Sequence, residues 1–164
     1  MTRDSYIENV RQTQIPFRRF LLALCCGDTF LADDIAQETY LKAWINWENI
    51  KNEKAVNVWL RSTAYHIFIN IKRRAALFDQ SETALEKCIA SSDYHPEDKY
   101  KYEELYMALN GLSTNERTTI ILYYLEEYSV RDIAQVQGLT EVNVRKIMSR
   151  ARERIRTLLK ETNL

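Results

Sequence analysis

Apolar side chains recur at every third or fourth position along most of the chain, which is the spacing of amphipathic helices and not of strands. In the first half this spacing predicts three helices, over about residues 4–24, 30–46 and 56–77. Gly27 follows the first apolar stripe and is predicted to cap the C-terminus of that helix. The stripe of the second helix puts Trp44 on its buried face.

The second half carries clearer signals for where its helices start. One helix is predicted over about residues 97–110, where an Asn-Gly pair ends it. Ser113 and Ser129 are each followed three residues later by an acidic residue, which is the pattern of a capping box. Thr140 is predicted to cap a last helix that runs to about Lys160. Four helices follow one another here.

Composition supports a helical chain and excludes several other classes. Only three Gly and two Pro occur in 164 residues, which disfavours barrels, sandwiches and turn-rich α/β sheets, so the fold class is predicted to be all-α. No apolar run approaches the roughly 18 residues that a membrane span needs, and the N-terminus lacks a signal-peptide core. Three cysteines form no disulfide framework and no metal spacing. We therefore expect a cytoplasmic protein with no membrane insertion, no cofactor and no metal.

The net charge of zero hides a segregation of charge along the chain. Residues 79–104 hold eight acidic and three basic side chains, whereas residues 139–164 hold seven basic and three acidic ones. Helical periodicity is lost over 79–101, which predicts an acidic linker between two small helical domains, 1–78 and 102–164. The basic end favours a nucleic-acid partner, and a merely solvated charged face is the alternative.

Three residues in the second domain have the spacing of a helix-turn-helix. Ala134 supplies the small side chain that the first helix needs where the second crosses it. Gly138 supplies the positive φ of the turn. Val144 points from the second helix back into the core. An ordinary helical hairpin is the alternative to DNA binding.

The outward side of the second helix is predicted to be basic. Subtracting the inward stripe leaves Arg145, Lys146, Ser149 and Arg150 on that side. Such side chains reach base edges or phosphates when a helix enters the major groove. Spacing, cap and charge therefore favour DNA binding.

The same residues resemble a known family. Residues 112–156 are similar to region 4 of bacterial extracytoplasmic-function sigma factors, and residues 32–44 (ADDIAQETYLKAW) resemble its region 2 helix. The family's promoter-melting and minus-10-reading helix is matched by Val58-Trp59-Leu60-Arg61 followed by Ala64, Asn70 and Arg73-Arg74. Two motif blocks in the correct order are more specific than one helix-turn-helix.

The resemblance implies a function that spacing alone does not. Such a protein binds core RNA polymerase, directs it to selected promoters and helps to separate the strands, without catalytic activity of its own. Many members are held inactive by an anti-sigma factor, which is therefore a further expected partner.

The resemblance also assigns site residues. Those expected to dock on core polymerase are Asp34, Gln37, Glu38 and Leu41. Those expected at the minus-10 element are His66, Asn70, Arg73 and Arg74. Those expected at the minus-35 element are Asn143, Arg145, Lys146, Ser149 and Arg150. The loop at about 47–54 is expected to hold a flipped base.

This chain departs from the family at several of these positions. His66 stands where many relatives have Asn, and Asn70 where many have Asp. In the last helix Asn143, Lys146 and Ile147 replace the commoner Thr, Ser and Arg, so the family's base preferences do not carry over. Most aromatic residues are predicted to be core, and Trp47 is the candidate exception that could stack on a base.

Two other functions are alternatives to that of a sigma factor. A conventional helix-turn-helix regulator would bind operator DNA by itself, but it needs neither the Gln37-Glu38 helix nor the block from Trp59 to Arg74. An enzyme is disfavoured because only two histidines occur and the sequence has no Gly-rich phosphate loop and no nucleophile–base arrangement.

Overall fold

The computed structural model describes residues 2–78 and 96–162, and the side chains of 2–78 and 102–161. The described residues form seven α-helices and no strand, which confirms the all-α prediction. The helices are α1 Arg3–Leu24, α2 Thr29–Asn46, α3 Glu53–Phe78, α4 Pro96–Asn110, α5 Thr114–Ile120, α6 Val130–Gln137 and α7 Glu141–Thr162. A 3₁₀ turn, Trp47–Asn49, follows α2, and a π-helical turn, Ile121–Leu125, continues α5. Among these helices none is long and apolar enough to cross a membrane.

The observed bounds lie within a few residues of the predicted ones. The largest shift is at α3, which begins three residues early because the Asn52 side chain accepts from the Ala55 amide at 2.8 Å. α4 begins at Pro96, so the last residues of the predicted linker are helical. Residues 79–95, with Cys88 and His95, lie outside the described residues, and the domain boundaries stay a prediction.

The core of the first half lies between α1, α2 and α3. Its largest fully buried side chains are Phe17, Phe20, Leu21, Leu24, Ile35, Val56, Leu60 and Phe68. Burial of each such side chain contributes about 1.5–3 kcal/mol, so this cluster is what holds the three helices together.

The turn after α1 differs from its prediction by one residue. The Gly27 amide donates to the Leu22 carbonyl at 2.8 Å and the Cys26 amide donates to the Ala23 carbonyl at 3.2 Å, which is a Schellman motif. Its left-handed residue is therefore Cys26, with φ of 52°, and not the predicted Gly27. Gly27 also has a positive φ, of 88°, and a Cβ there would lie 2.9 Å from the Tyr106 ring of α4.

The predicted caps of the second half are present. Ser113 and Glu116 form a complete capping box at the start of α5. The Ser129 hydroxyl accepts from the Asp132 amide at 3.1 Å, and the Thr140 hydroxyl accepts from the Asn143 amide at 3.2 Å. These side chains satisfy amides that would otherwise have no partner at each helix start.

The two halves are packed directly against each other. α3 lies along α6, and α1 contacts α4, α5 and the π-helical turn. Arg117 on α5 is buried and donates to the Leu24 carbonyl at the end of α1 and to the Leu109 carbonyl on α4, both at 2.9 Å. The two helical regions joined by a linker, as predicted, therefore also pack against each other in this structure.

Candidate nucleic-acid interface

The helix-turn-helix has the geometry that its spacing predicts. Gly138 ends α6 in the left-handed conformation, with φ of 65°, and the Leu139 amide donates to the Ala134 carbonyl at 3.0 Å. Val144, Met148 and Ala151 are buried behind α7. The second helix is thus held from behind, which leaves its other side for a ligand.

The predicted minus-35 residues lie together on the exposed side of α7. They are Asn143, Arg145, Lys146, Ser149 and Arg150. Arg145 contacts Glu141 one turn earlier at 3.5 Å, and this pair is solvent-exposed, so it weakly restrains the guanidinium. The side therefore offers five donor side chains and three positive charges to solvent.

Two further arginines of α7 are turned toward the protein. Arg152 donates from Nε to the Tyr124 hydroxyl at 2.7 Å, and its guanidinium lies 5.7 Å from the centre of the Tyr124 ring. Arg154 lies 3.5 Å from the buried carboxylate of Glu116, the residue that completes the capping box of α5. Arg152 and Arg154 therefore make contacts within the protein. The predicted minus-35 residues of α7 face solvent instead.

The predicted minus-10 residues lie along one stretch of α3. His66, Asn70, Arg73 and Arg74 are all exposed. Nδ1 of His66 lies 2.6 Å from the Ser62 carbonyl oxygen, to which it donates, and the His66 side chain is exposed. His66 and Asn70 are one turn apart and so share a helix face.

Two tryptophans are placed opposite to their predictions. Trp47 is only 4% exposed, and its Nε1 donates to the Ser5 hydroxyl at 3.0 Å, so it is a core residue and cannot stack on a base. Trp44 was predicted to be core and is 46% exposed, with its ring edge against Tyr6. The reason is tertiary: Tyr6 on α1 inserts between the two indoles.

The predicted polymerase-docking residues form one exposed face of α2. Asp34, Gln37, Glu38 and Leu41 are all exposed, and Leu41 is 60% exposed despite being apolar. Ile45, which sequence reasoning missed, continues this face one turn further and is 71% exposed. Its position four residues after Leu41 is the signal that could have found it.

A charged cluster between the two halves was also missed. Arg61 on α3 donates from Nε and Nη2 to the two carboxylate oxygens of Glu126, at 2.5 and 2.9 Å. Its guanidinium lies 5.5 to 5.8 Å from the ring centres of Phe17, Phe20 and Tyr128.

The cluster shifts the pKa of two of its members. Burial acts to lower the pKa of Arg61, but the hydrogen bonds and charge of Glu126 outweigh it and raise that pKa. Burial raises the pKa of Tyr128 to about 12, against the opposing effect of Arg61. Arg61 is therefore charged and Tyr128 neutral at every physiological pH.

Two family models match the chain, one in each half. "Sigma-70 region 2" matches residues 10–77, and "Sigma-70, region 4" matches residues 102–155. The first contains the exposed faces of α2 and α3, and the second contains the helix-turn-helix.

Relatives and solved structures agree with these matches. The chain is 27% identical to the ECF RNA polymerase sigma factor SigM of Bacillus subtilis, over 85% of this chain and 86% of the relative. It is 24% identical to the ECF sigma factor EcfG of Rhodopseudomonas palustris, over 95% and 86%. The sigma factor RpoE of Bartonella quintana, solved with the anti-sigma factor NepR, superposes with a TM-score of 0.77, 26% identity and coverage of 95% and 97%. CnrH, solved with the cytosolic domain of CnrY, has a TM-score of 0.68, 19% identity and coverage of 98% and 90%.

Proposed function

We propose that this chain, which belongs to the extracytoplasmic-function group of the sigma-70 family, divides the work of promoter-specific transcription initiation among three exposed faces on α2, α3 and α7. The observation that carries the proposal is that the predicted contact residues of all three faces are exposed while the residues behind them are buried. Each face is therefore held in place by packed residues behind it, as a precise recognition surface requires.

The α2 face is assigned to core RNA polymerase. It combines the acceptors of Asp34 and Glu38 and the amide of Gln37 with the exposed side chain of Leu41. An apolar anchor inside a polar rim is the usual composition of a protein–protein interface. Ile45 is assigned to the same face because it extends the apolar part by one turn.

The α3 and α7 faces are assigned to promoter DNA. Arg73 and Arg74 suit the phosphates of the minus-10 region, where His66 and Asn70 offer ring and amide groups to bases. On α7, Lys146 and Ser149 suit base edges of the minus-35 element in the major groove. Strand separation follows when the α3 face holds the displaced strand.

Two consequences of this assignment concern chemistry and partners. The chain acts as an initiation factor with polymerase inside the cell and performs no catalytic step itself. An anti-sigma factor is a further proposed partner, supported by the likeness to RpoE of Bartonella quintana, whose structure contains one.

Run-off transcription tests the proposal. Core polymerase with this chain is expected to give discrete transcripts from a subset of genomic promoter fragments, and core polymerase alone none. The variant Lys146→Ala is expected to reduce those transcripts, and Lys160→Ala, which changes an exposed lysine in the last turn of the same helix, is the matched control. Tight, specific binding of the chain alone to an operator, without transcription, would instead favour a stand-alone regulator.

A further inference from the structure

The start of α1 contacts the end of α2 and the 3₁₀ turn that follows it. Nε1 of the buried Trp47 donates to the Ser5 hydroxyl at 3.0 Å, and that hydroxyl donates in turn to the Thr2 carbonyl at 2.7 Å. Buried N–H groups need a partner within the protein. A hydroxyl at the start of α1 supplies the partner for this one.

Tyr6 makes a second set of contacts at the same place. Its ring meets the indoles of Trp44 and Trp47 edge to face, with ring centres 5.0 and 5.2 Å away. Its hydroxyl donates to the Tyr40 carbonyl on α2 at 2.8 Å. One side chain of α1 thus holds both the last turns of α2 and the residue that begins the next loop.

The loop after α2, residues 47–52, is fixed at three points. Trp47 and Ile50 are buried, and the Ile50 amide donates to the Trp47 carbonyl at 3.3 Å. The Asn52 side chain caps the start of α3. Three polar side chains are left exposed between these points: Glu48, Asn49 and Lys51. The loop therefore presents polar groups to solvent from a backbone whose position depends on Trp47.

The same turns of α2 carry the apolar part of the polymerase-docking face. Tyr40 and Trp44 contact Tyr6, whereas the residues that follow them, Leu41 and Ile45, are exposed. Successive residues of a helix point about 100° apart, so docking through the exposed pair leaves the contacts with α1 in place. These contacts then determine where the loop lies relative to polymerase.

We propose that Ser5 and Tyr6 are positioning residues for the loop at 47–52: they orient it relative to the docked α2, so that its exposed side chains hold one unpaired base of the minus-10 element. The inference rests on the proposed function and on the expected role of this loop. It deepens that function, because it gives base selection a determinant outside the α2, α3 and α7 faces.

A change at Ser5 should reach the base through Trp47. Without the hydroxyl, the buried indole N–H loses its partner, which favours an indole that turns toward water and shifts the loop. A base held by hydrogen bonds tolerates little displacement, because those bonds weaken steeply away from their optimal distance and angle. Loss of about one hydrogen bond to the base corresponds to a change of roughly 3- to 10-fold in base preference.

Binding of fork-junction DNA by core polymerase with the full chain tests this inference. The DNA comes from a promoter that run-off transcription has identified, and its minus-10 element is unpaired on one strand. Each position of that element carries the four bases in turn, and fluorescence anisotropy gives the base preference at every position. Ser5→Ala is expected to lower the preference at one position by roughly 3- to 10-fold and to leave the others unchanged.

A loop variant identifies the position that the loop contacts. It replaces the three exposed side chains together, as Glu48→Ala, Asn49→Ala and Lys51→Ala. It is expected to lose preference at the same position as Ser5→Ala. Adding Ser5→Ala to the loop variant is expected to cause no further loss, because both changes act on one contact.

Three further variants separate positioning from general stability. Ser5→Thr keeps the hydroxyl and is expected to keep the parent preference. Tyr6→Phe keeps the ring but loses the bond to the Tyr40 carbonyl, so a smaller loss at the same position is expected. Gln12→Ala is the matched control, because it removes an exposed side-chain hydrogen bond, to Glu8, from the same helix. A loss confined to one base position and restored by threonine is not what reduced stability alone produces.

The outcomes distinguish this inference from the proposed function. Parent preferences at every position in Ser5→Ala would overturn the inference, and so would a uniform loss over all positions or an equal loss in Gln12→Ala. A loop variant with parent preferences would also overturn it, while the proposed function would stand on the α3 and α7 faces. A parent complex without any base preference would reject the proposed function, and this inference with it.

Discussion

Side chains cap the helix starts in both halves of the molecule, but the turns that follow α1 and α6 differ. In the second half, Ser113, Ser129 and Thr140 cap the three helix starts and Gly138 occupies the left-handed position of the turn. In the first half, the turn after α1 puts Cys26 in that position, and a residue with a Cβ is strained there. The helix-turn-helix is thus consistent with its local sequence, whereas the turn after α1, like the one that holds Glu127 at φ of 58° in the second half, keeps a residue with a Cβ in a strained conformation.

The difference extends to what holds each recognition face. α7 is supported from behind by Val144, Met148 and Ala151 and from its flank by Arg152 and Arg154. The minus-10 stretch of α3 belongs to a long helix whose last turns, with Leu77 and Phe78, are exposed. We infer that the α7 face is the more rigid of the two faces assigned to DNA.

The largest expected effect comes from breaking the core behind α7. Val144→Asp buries an unpaired charge at a site with no solvent exposure and is expected to cost more than about 3 kcal/mol, which unfolds the second half. Thermal melts followed by circular dichroism measure this. Val142→Asp, two residues away and 58% exposed, is the matched control and is expected to melt with the parent chain.

Should Val144→Asp melt like the control, the inward stripe of α7 would be misassigned. The contrast between a well-supported α7 face and a less supported α3 face would then fail.

The next effect concerns base reading on α7. Lys146→Ala is expected to cost roughly 1–3 kcal/mol of promoter binding by the polymerase complex and to relax the preference at one or two minus-35 positions, because its ammonium group is assigned to base edges. Binding against a library of minus-35 variants measures both quantities. A uniform loss over all sequences, with a shallower salt dependence, would mean that Lys146 contacts a phosphate instead.

The sequence predicted the second half well because its determinants are local. A capping box and an apolar stripe lie within one or two turns, so the positions of Ser113, Gly138 and Val144 follow from their neighbours in sequence. Trp44 and Trp47 could not be placed in this way, since Tyr6, some forty residues earlier, decides which indole is covered.

The contacts between the halves could not be predicted from the sequence for the same reason. Arg61 meets Glu126 across 65 residues, and Arg117 meets the Leu24 carbonyl across 93. A charged residue inside a helical pattern reads as solvent-facing, and only the partner reveals that it is buried. The site residues of α2, α3 and α7 were predictable as exposed faces, but their ligands stay predictions.

Polymerase docking gives a smaller expected effect. Gln37→Ala combined with Leu41→Ala is expected to weaken binding to core polymerase by about 1–2 kcal/mol, since it removes one amide and one exposed apolar anchor. Titration of labelled chain with core polymerase measures this. Ile15→Ala, which removes an exposed apolar side chain from α1, is the control. Equal affinities for the double variant and the parent chain, with normal circular dichroism, would reject the docking assignment.

The smallest effects test the contrast between the turns. Gly138→Ala is expected to destabilise the chain by about 1 kcal/mol, because alanine is strained at φ of 65° although a Cβ there would meet nothing within 4 Å. Glu127 is the opposite case, because it is an exposed residue with a Cβ at a positive φ, of 58°. Glu127→Gly is expected to stabilise by about 0.5 kcal/mol, the relieved strain minus the added entropy of the unfolded chain. Urea titrations measure both. Changes of opposite sign in the free energy of unfolding would show that backbone conformation governs these turns. A lower free energy of unfolding in both variants would show that side-chain contacts do.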